Sequence, residues 1–74
     1  MFNFFNESVN REQATLKRSF EALSKELDNH FDMQISPSRM LSDASYRGET
    51  LYELRTLEDE HINQQLDTIT YLLN

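Results

Sequence analysis

Residues 9–30 read VNREQATLKRSFEALSKELDNH. Within them Val9, Gln13, Leu16, Phe20, Leu23, Leu27 and His30 fall at alternating steps of four and three. That period places them on one face of a helix, and only Gln13 and His30 interrupt its apolar character. Phe31 adjoins the end of the stripe. Ser8 or Asn10 offers a side-chain oxygen to the orphan N–H groups of the first turn, and Asn10 with Gln13 makes a weak capping box. Glu21 and Lys25 form a favourable i,i+4 pair. The spacing predicts a helix over about residues 8–30, roughly 35 Å long.

Outward from this stretch, Leu51, Leu54, Leu57 or Glu58, Ile62, Leu66, Ile69 and Leu73 repeat the pattern less regularly. They predict a last helix over about residues 49–73, with Thr50 and Glu53 as its capping box. Its waist, Glu58-Asp59-Glu60-His61, is polar. Between the two, Ser36-Pro37 reads as an N-cap followed by the first helical position, where proline's missing N–H costs nothing. Met40, Leu41 and Ala44 give a short apolar face, so a short helix is expected at about residues 37–45. Gly48 either ends it or lies inside one helix that runs from residue 37 to residue 73.

The chain has 74 residues, one Gly, one Pro and no Cys. Disulfide frameworks, zinc ribbons and cysteine nucleophiles are therefore excluded. Glycine-rich phosphate loops need several glycines, and barrels of short strands need many turn formers. The longest apolar runs are two residues, which leaves no membrane span and no signal-peptide apolar region. A chain of this mass should fold to roughly 4,800 Å² of surface and bury a little over ~60% of its unfolded area, which is marginal for a lone core.

These observations define an all-α fold and one domain over residues 1–74. Two long helices make an antiparallel hairpin buttressed by the short one. Each apolar stripe of a hairpin leaves one side in water, and pairing two hairpins into a four-helix-bundle-like homodimer covers both. The alternative is a three-helix monomer. Tyr46, Tyr52 and Tyr71 suit bundle edges, with the ring covered and the hydroxyl wet.

The net charge is −6, and residues 49–74 supply most of it: Glu49, Glu53, Glu58, Asp59, Glu60 and Asp67 stand against Arg55 alone. On one helix Glu53, Glu60 and Asp67 would line a single side at intervals of about 10.5 Å. Such a row can engage a basic groove and steer association. Residues 36–48, with Arg39 and Arg47 against Asp43, form a slight basic island whose arginines can pair with the acidic helix. Phe2, Phe4 and Phe5 fold back as an apolar plug, or stand out as an aromatic anchor for a partner. Glu58-x-x-His61 is the one metal-like pattern, since i,i+3 on a helix lets both side chains share an ion. Glu21, Glu26 or His30 would complete it from the first helix. Against it stands the plain reading of Glu58 and His61 as part of a solvated acidic face, so no metal or other cofactor is assigned. His30 reads more simply as a favourable cation at a helix C-terminus.

No strand-turn-helix elbow supports a serine nucleophile, and so small a chain lacks walls for a water-excluding pocket. The sequence therefore points away from an enzyme. It points to a small acidic cytoplasmic interaction protein that binds and inhibits another protein through a basic, nucleic-acid-binding surface, in the manner of phage- or mobile-element-encoded regulators. The partner-binding residues would be the six carboxylates of residues 49–74 together with Phe2, Phe4 and Phe5. The acidity argues against direct binding of nucleic acid or anionic membrane. A structural dimerisation module and a metal-binding carboxylate/His bundle are the alternatives.

Overall fold

A computed structural model describes the backbone of residues 3–74 and the side chains of residues 13–74. Every element among them is helical: α1 Asn3–Phe31, α2 Pro37–Ser42, α3 Ala44–Arg55 and α4 Glu60–Leu73. No described helix is long and apolar enough to cross a membrane.

α1 turns the middle of the expected stripe, Leu16, Phe20, Leu23 and Leu27, to the core, whereas Gln13 and His30 are exposed and the side chain of Val9 lies outside the described residues; the helix begins earlier, at Asn3 and not near residue 8. Ser8 and Asn10 therefore lie inside the helix and do not cap it. Short polar residues weaken a helix interior without breaking it, whereas a Pro would break it. The helix stops where Asp32 takes a left-handed conformation, φ 54°. The Met33 N–H then reaches back to the Leu27 carbonyl at 3.1 Å.

α2 starts as the sequence predicts. The Ser36 hydroxyl accepts from the Arg39 N–H at 3.2 Å, and Pro37 opens the helix. It ends at Ser42, earlier than residue 45, because Asp43 serves two helices. Its N–H donates to the Arg39 carbonyl at 2.8 Å, and its carboxylate accepts from the Tyr46 N–H at 3.1 Å. One residue thus closes α2 and opens α3. The chain runs through Gly48 as helix, so this glycine ends nothing.

The expected single helix over residues 49–73 is two helices. After Arg55 the N–H groups of Thr56, Leu57 and Glu58 bond three residues back, to Glu53, Leu54 and Arg55. Glu58 then turns left-handed at φ 52°, and the Asp59 carboxylate caps α4 by accepting from the Ile62 N–H at 2.9 Å. The polar waist is the break. Thr50 is buried inside α3, 7% exposed, so the expected Thr50–Glu53 capping box does not exist.

The core joins all four elements. Phe20, Leu23 and Leu27 from α1, Met40 from α2, Leu54 from α3, and Ile62, Leu66 and Ile69 from α4 are at most 1% exposed. α4 meets α1 in reverse order: His61 lies beside Glu26, and Gln65 and Thr68 share a groove with Ala22 and Ser19. α2 packs on the other flank of α1, and α3 bridges α2 to α4. The buried part of the α1 stripe is thus covered within one chain. The molecule is nonetheless extended, 45 × 21 × 21 Å, with a radius of gyration of 13.3 Å. A compact domain of this length would have a radius of about 11 Å.

Candidate functional site

The charged residues of the last 39 positions separate into those that fasten the fold and those that face outward. Arg39, Arg47 and Arg55 are all fasteners. Arg39 reaches the Asp43 carboxylate at 3.2 Å, and its guanidinium lies 4.1 Å above the Tyr46 ring. The Tyr46 hydroxyl in turn accepts from the Ser36 N–H at 3.0 Å. Arg47 donates to the Met40 and Leu41 carbonyls at 2.9 and 3.2 Å, satisfying the open end of α2. Arg55 binds Asp67 at 2.7 Å across the α3–α4 junction. The basic island of residues 36–48 is therefore a corner brace, and it is Arg55 that pairs with the acidic segment.

Among the carboxylates, Asp43 and Asp67 are paired and Asp59 is a cap. The Tyr46 N–H first, and the Arg39 guanidinium second, hold the Asp43 carboxyl below its ordinary 3.8. Glu49, Glu53, Glu58 and Glu60 are exposed, and none has an ion-pair partner among the described residues. Glu49 and Glu53 lie one turn apart on α3, Glu58 in the following loop, and Glu60 at the start of α4. The predicted straight row of Glu53, Glu60 and Asp67 does not form, because the break at residues 56–59 puts Glu53 on a different helix. Asp67 is also occupied by Arg55. What remains is an acidic edge that follows α3 around its turn into α4.

The Glu58–His61 pattern loses its helical basis for the same reason. Glu58 is a left-handed loop residue and His61 lies in the first turn of α4. His61 Nε2 instead lies 3.8 Å from Glu26 Oε2, which is also 3.6 Å from His30 Nε2. Among the described residues no three His, Asp or Glu are grouped so as to hold a metal ion. The expected Glu21–Lys25 pair is not among the ion pairs either; both residues line a shallow groove of about 350 Å³ with Gln34, Ile35 and Pro37. Two tyrosines expected at covered edges stand free, Tyr52 at 75% and Tyr71 at 80% exposure. Phe2 lies outside the described residues, as do the side chains of Phe4 and Phe5, so the plug and anchor readings concern groups that are not described.

Sequence reasoning missed the capping roles of Asp43 and Asp59, although the signal was present. Each is an Asp placed three residues before the N–H it accepts from. The Glu26–His61 approach had no local signal, since it joins residues on different helices. No protein-family model, curated protein or solved structure matches the chain.

Proposed function

We propose that this protein is a small acidic interaction module that binds a second protein through its basic surface and modulates it. The observation that carries this reading is the division of charge. Residues 36–74 hold seven carboxylates and three arginines, and all three arginines are used inside the fold. Glu49, Glu53, Glu58 and Glu60 are left facing outward without partners among the described residues. Unpaired carboxylates on firmly braced helices favour encounter with a cationic groove without losing an internal pair. A groove shaped for nucleic acid offers such a surface, and filling it would inhibit its owner, as phage- or mobile-element-type regulators do. The protein acts by binding and not by catalysis, in the cytoplasm, as a homodimer.

The test is charge reversal of Glu49, Glu53 and Glu60 to Lys in the full chain. The native partner, recovered on the immobilised wild-type protein at low salt, is purified and titrated against both forms. Association should slow by about tenfold to a hundredfold in the variant. Wild-type binding should also weaken steeply between about 0.05 M and about 0.5 M salt. An affinity that neither the reversal nor the salt changes ends the acidic-edge reading.

A further inference from the structure

α3 has an outward face as well as an inward one. Along it and its C-cap, Ser45, Gly48, Glu49, Tyr52, Glu53 and Thr56 are all exposed. Each helical residue advances about 100°, so Glu49, Tyr52 and Glu53 fall within roughly a quarter-turn of one another. Tyr52 is the aromatic member of this face, 75% exposed. Among the described residues its ring and hydroxyl have no protein partner, and Glu49 and Glu53 have no ion pair.

A helical side chain leans toward the N-terminus, over the residues three and four before it. For Tyr52 these are Glu49 and Gly48. Gly48 lies inside α3, where glycine is the costliest residue after proline. Nothing in the fold calls for it: its φ is not positive, and an added Cβ would meet nothing within 4 Å. Its effect is on the surface. It leaves the space beside the Tyr52 ring open, where any other side chain would stand.

The α2–α3 corner shows how a carboxylate and a tyrosine three residues apart can be filled. The Arg39 guanidinium lies 3.2 Å from the Asp43 carboxylate and 4.1 Å above the Tyr46 ring. Glu49 and Tyr52 repeat that spacing six residues on. The place of Arg39, seven residues before the tyrosine, is taken by Ser45, which has no charge to supply. The flanking arginines do not fill it either. Arg47 is held by the Met40 and Leu41 carbonyls and Arg55 by Asp67.

We propose that this face of α3 is a receptor for one arginine side chain of the partner protein. The guanidinium lies on the Tyr52 ring, in the space that Gly48 leaves, and donates to Glu49 and Glu53. The inference rests on the acidic interaction reading above and names the residue that the acidic edge recognises.

The chemistry favours arginine over lysine. A guanidinium is planar and weakly hydrated, so it can stack on a ring while its in-plane N–H groups reach carboxylates. Arg39 does both at once on Tyr46 and Asp43. An ammonium is a compact, strongly hydrated point charge and gains less from the ring. Charge excludes anionic occupants, because residues 49–74 hold six carboxylates against Arg55, a net −5. Tyrosine and arginine are also the side chains that most often anchor protein interfaces.

Titration of two peptides of equal length, hexa-arginine and hexa-lysine, into the isotope-labelled full chain tests this by NMR, with circular dichroism to confirm that each variant stays helical. Hexa-arginine should shift the amide signals of residues 48–53 and bind about twofold to fivefold more tightly than hexa-lysine. Tyr52→Ala should abolish that preference and leave hexa-lysine binding nearly unchanged. Tyr52→Phe should keep the preference, since the ring and not the hydroxyl is used. Gly48→Leu should raise the melting temperature and yet weaken hexa-arginine binding, a split that a merely structural role would not produce. If neither peptide binds at the edge of α3 and α4, both the acidic-edge reading and the arginine receptor fall. If the two peptides bind there equally, or if the preference survives Tyr52→Ala or Gly48→Leu, the arginine receptor is overturned while the acidic edge stands.

Discussion

α3 and α4 are consecutive helices of similar length, 12 and 14 residues, yet they are held by different means. α4 is amphipathic in the ordinary way: Ile62, Leu66 and Ile69 recur along one face and are at most 1% exposed. α3 has almost no apolar stripe. Leu54 is its one fully buried apolar side chain, beside a buried Thr50 and half-buried Tyr46 and Leu51. It is secured at its ends, by Asp43 and Tyr46 at the start and by Arg55 to Asp67 at the finish. A helix can therefore be specified by packing or by fasteners. The two kinds should respond to different substitutions.

The largest effect should come from the packed helix. Leu66→Ala should cost about 2–5 kcal/mol, a large share of the ~4–11 kcal/mol expected for a domain of this size. Leu51→Ala on α3, half-buried, should cost under about 2 kcal/mol. Urea unfolding of the two variants measures the contrast; equal losses would mean that α3 is packed as firmly as α4.

The junction is next. Asp59→Ala removes the cap that opens α4 and should cost about 1 kcal/mol. Amide exchange should quicken at Ile62 and its neighbours before it changes in α3. Loss of protection along both helices together would show them to be one cooperative unit.

Two substitutions should stabilise. Gly48 lies mid-helix in α3, and an added Cβ there would meet nothing within 4 Å. Gly48→Ala should therefore gain up to about 1 kcal/mol, seen as a melting point higher by roughly 4–8 °C. Glu58→Gly relieves a left-handed backbone that glycine adopts freely, and should gain somewhat less than about 1 kcal/mol. A fall in melting temperature with Gly48→Ala would mean that the surface around this glycine is covered in solution.

The smallest effect belongs to Asp43. Its carboxyl titrates below its ordinary value in the folded chain, so its contribution is fully present above pH 3.8. That contribution is lost as the pH falls through the lowered folded value. Asp43→Asn should flatten the acid limb of the stability profile and leave the slope near neutral pH unchanged. An unaltered acid limb would show that the carboxylate's charge adds nothing to the α2–α3 corner.

Much of this architecture was legible in the residues. The stripe from Leu16 to Leu27, the Ser36-Pro37 start of α2 and the apolar face of α4 all follow from local periodicity and capping chemistry. The division between α3 and α4 was less plain, because the polar waist Glu58-Asp59-Glu60-His61 reads equally as a solvated helix face and as a cap. The acidic segment was legible as composition, but not the fate of each charge. Pairing of Asp67 with Arg55, and of His61 with Glu26, depends on how helices cross.

By itself, then, the sequence determined the helical class, the buried face of α1 and the placement of negative charge late in the chain. Those properties arise from neighbours three or four residues apart. Tertiary structure alone decided which arginines are spent as braces, which carboxylates remain free and how far α4 reaches along α1. Each depends on distances between segments remote in the chain, and the register of α4 against α1 sets the last of them.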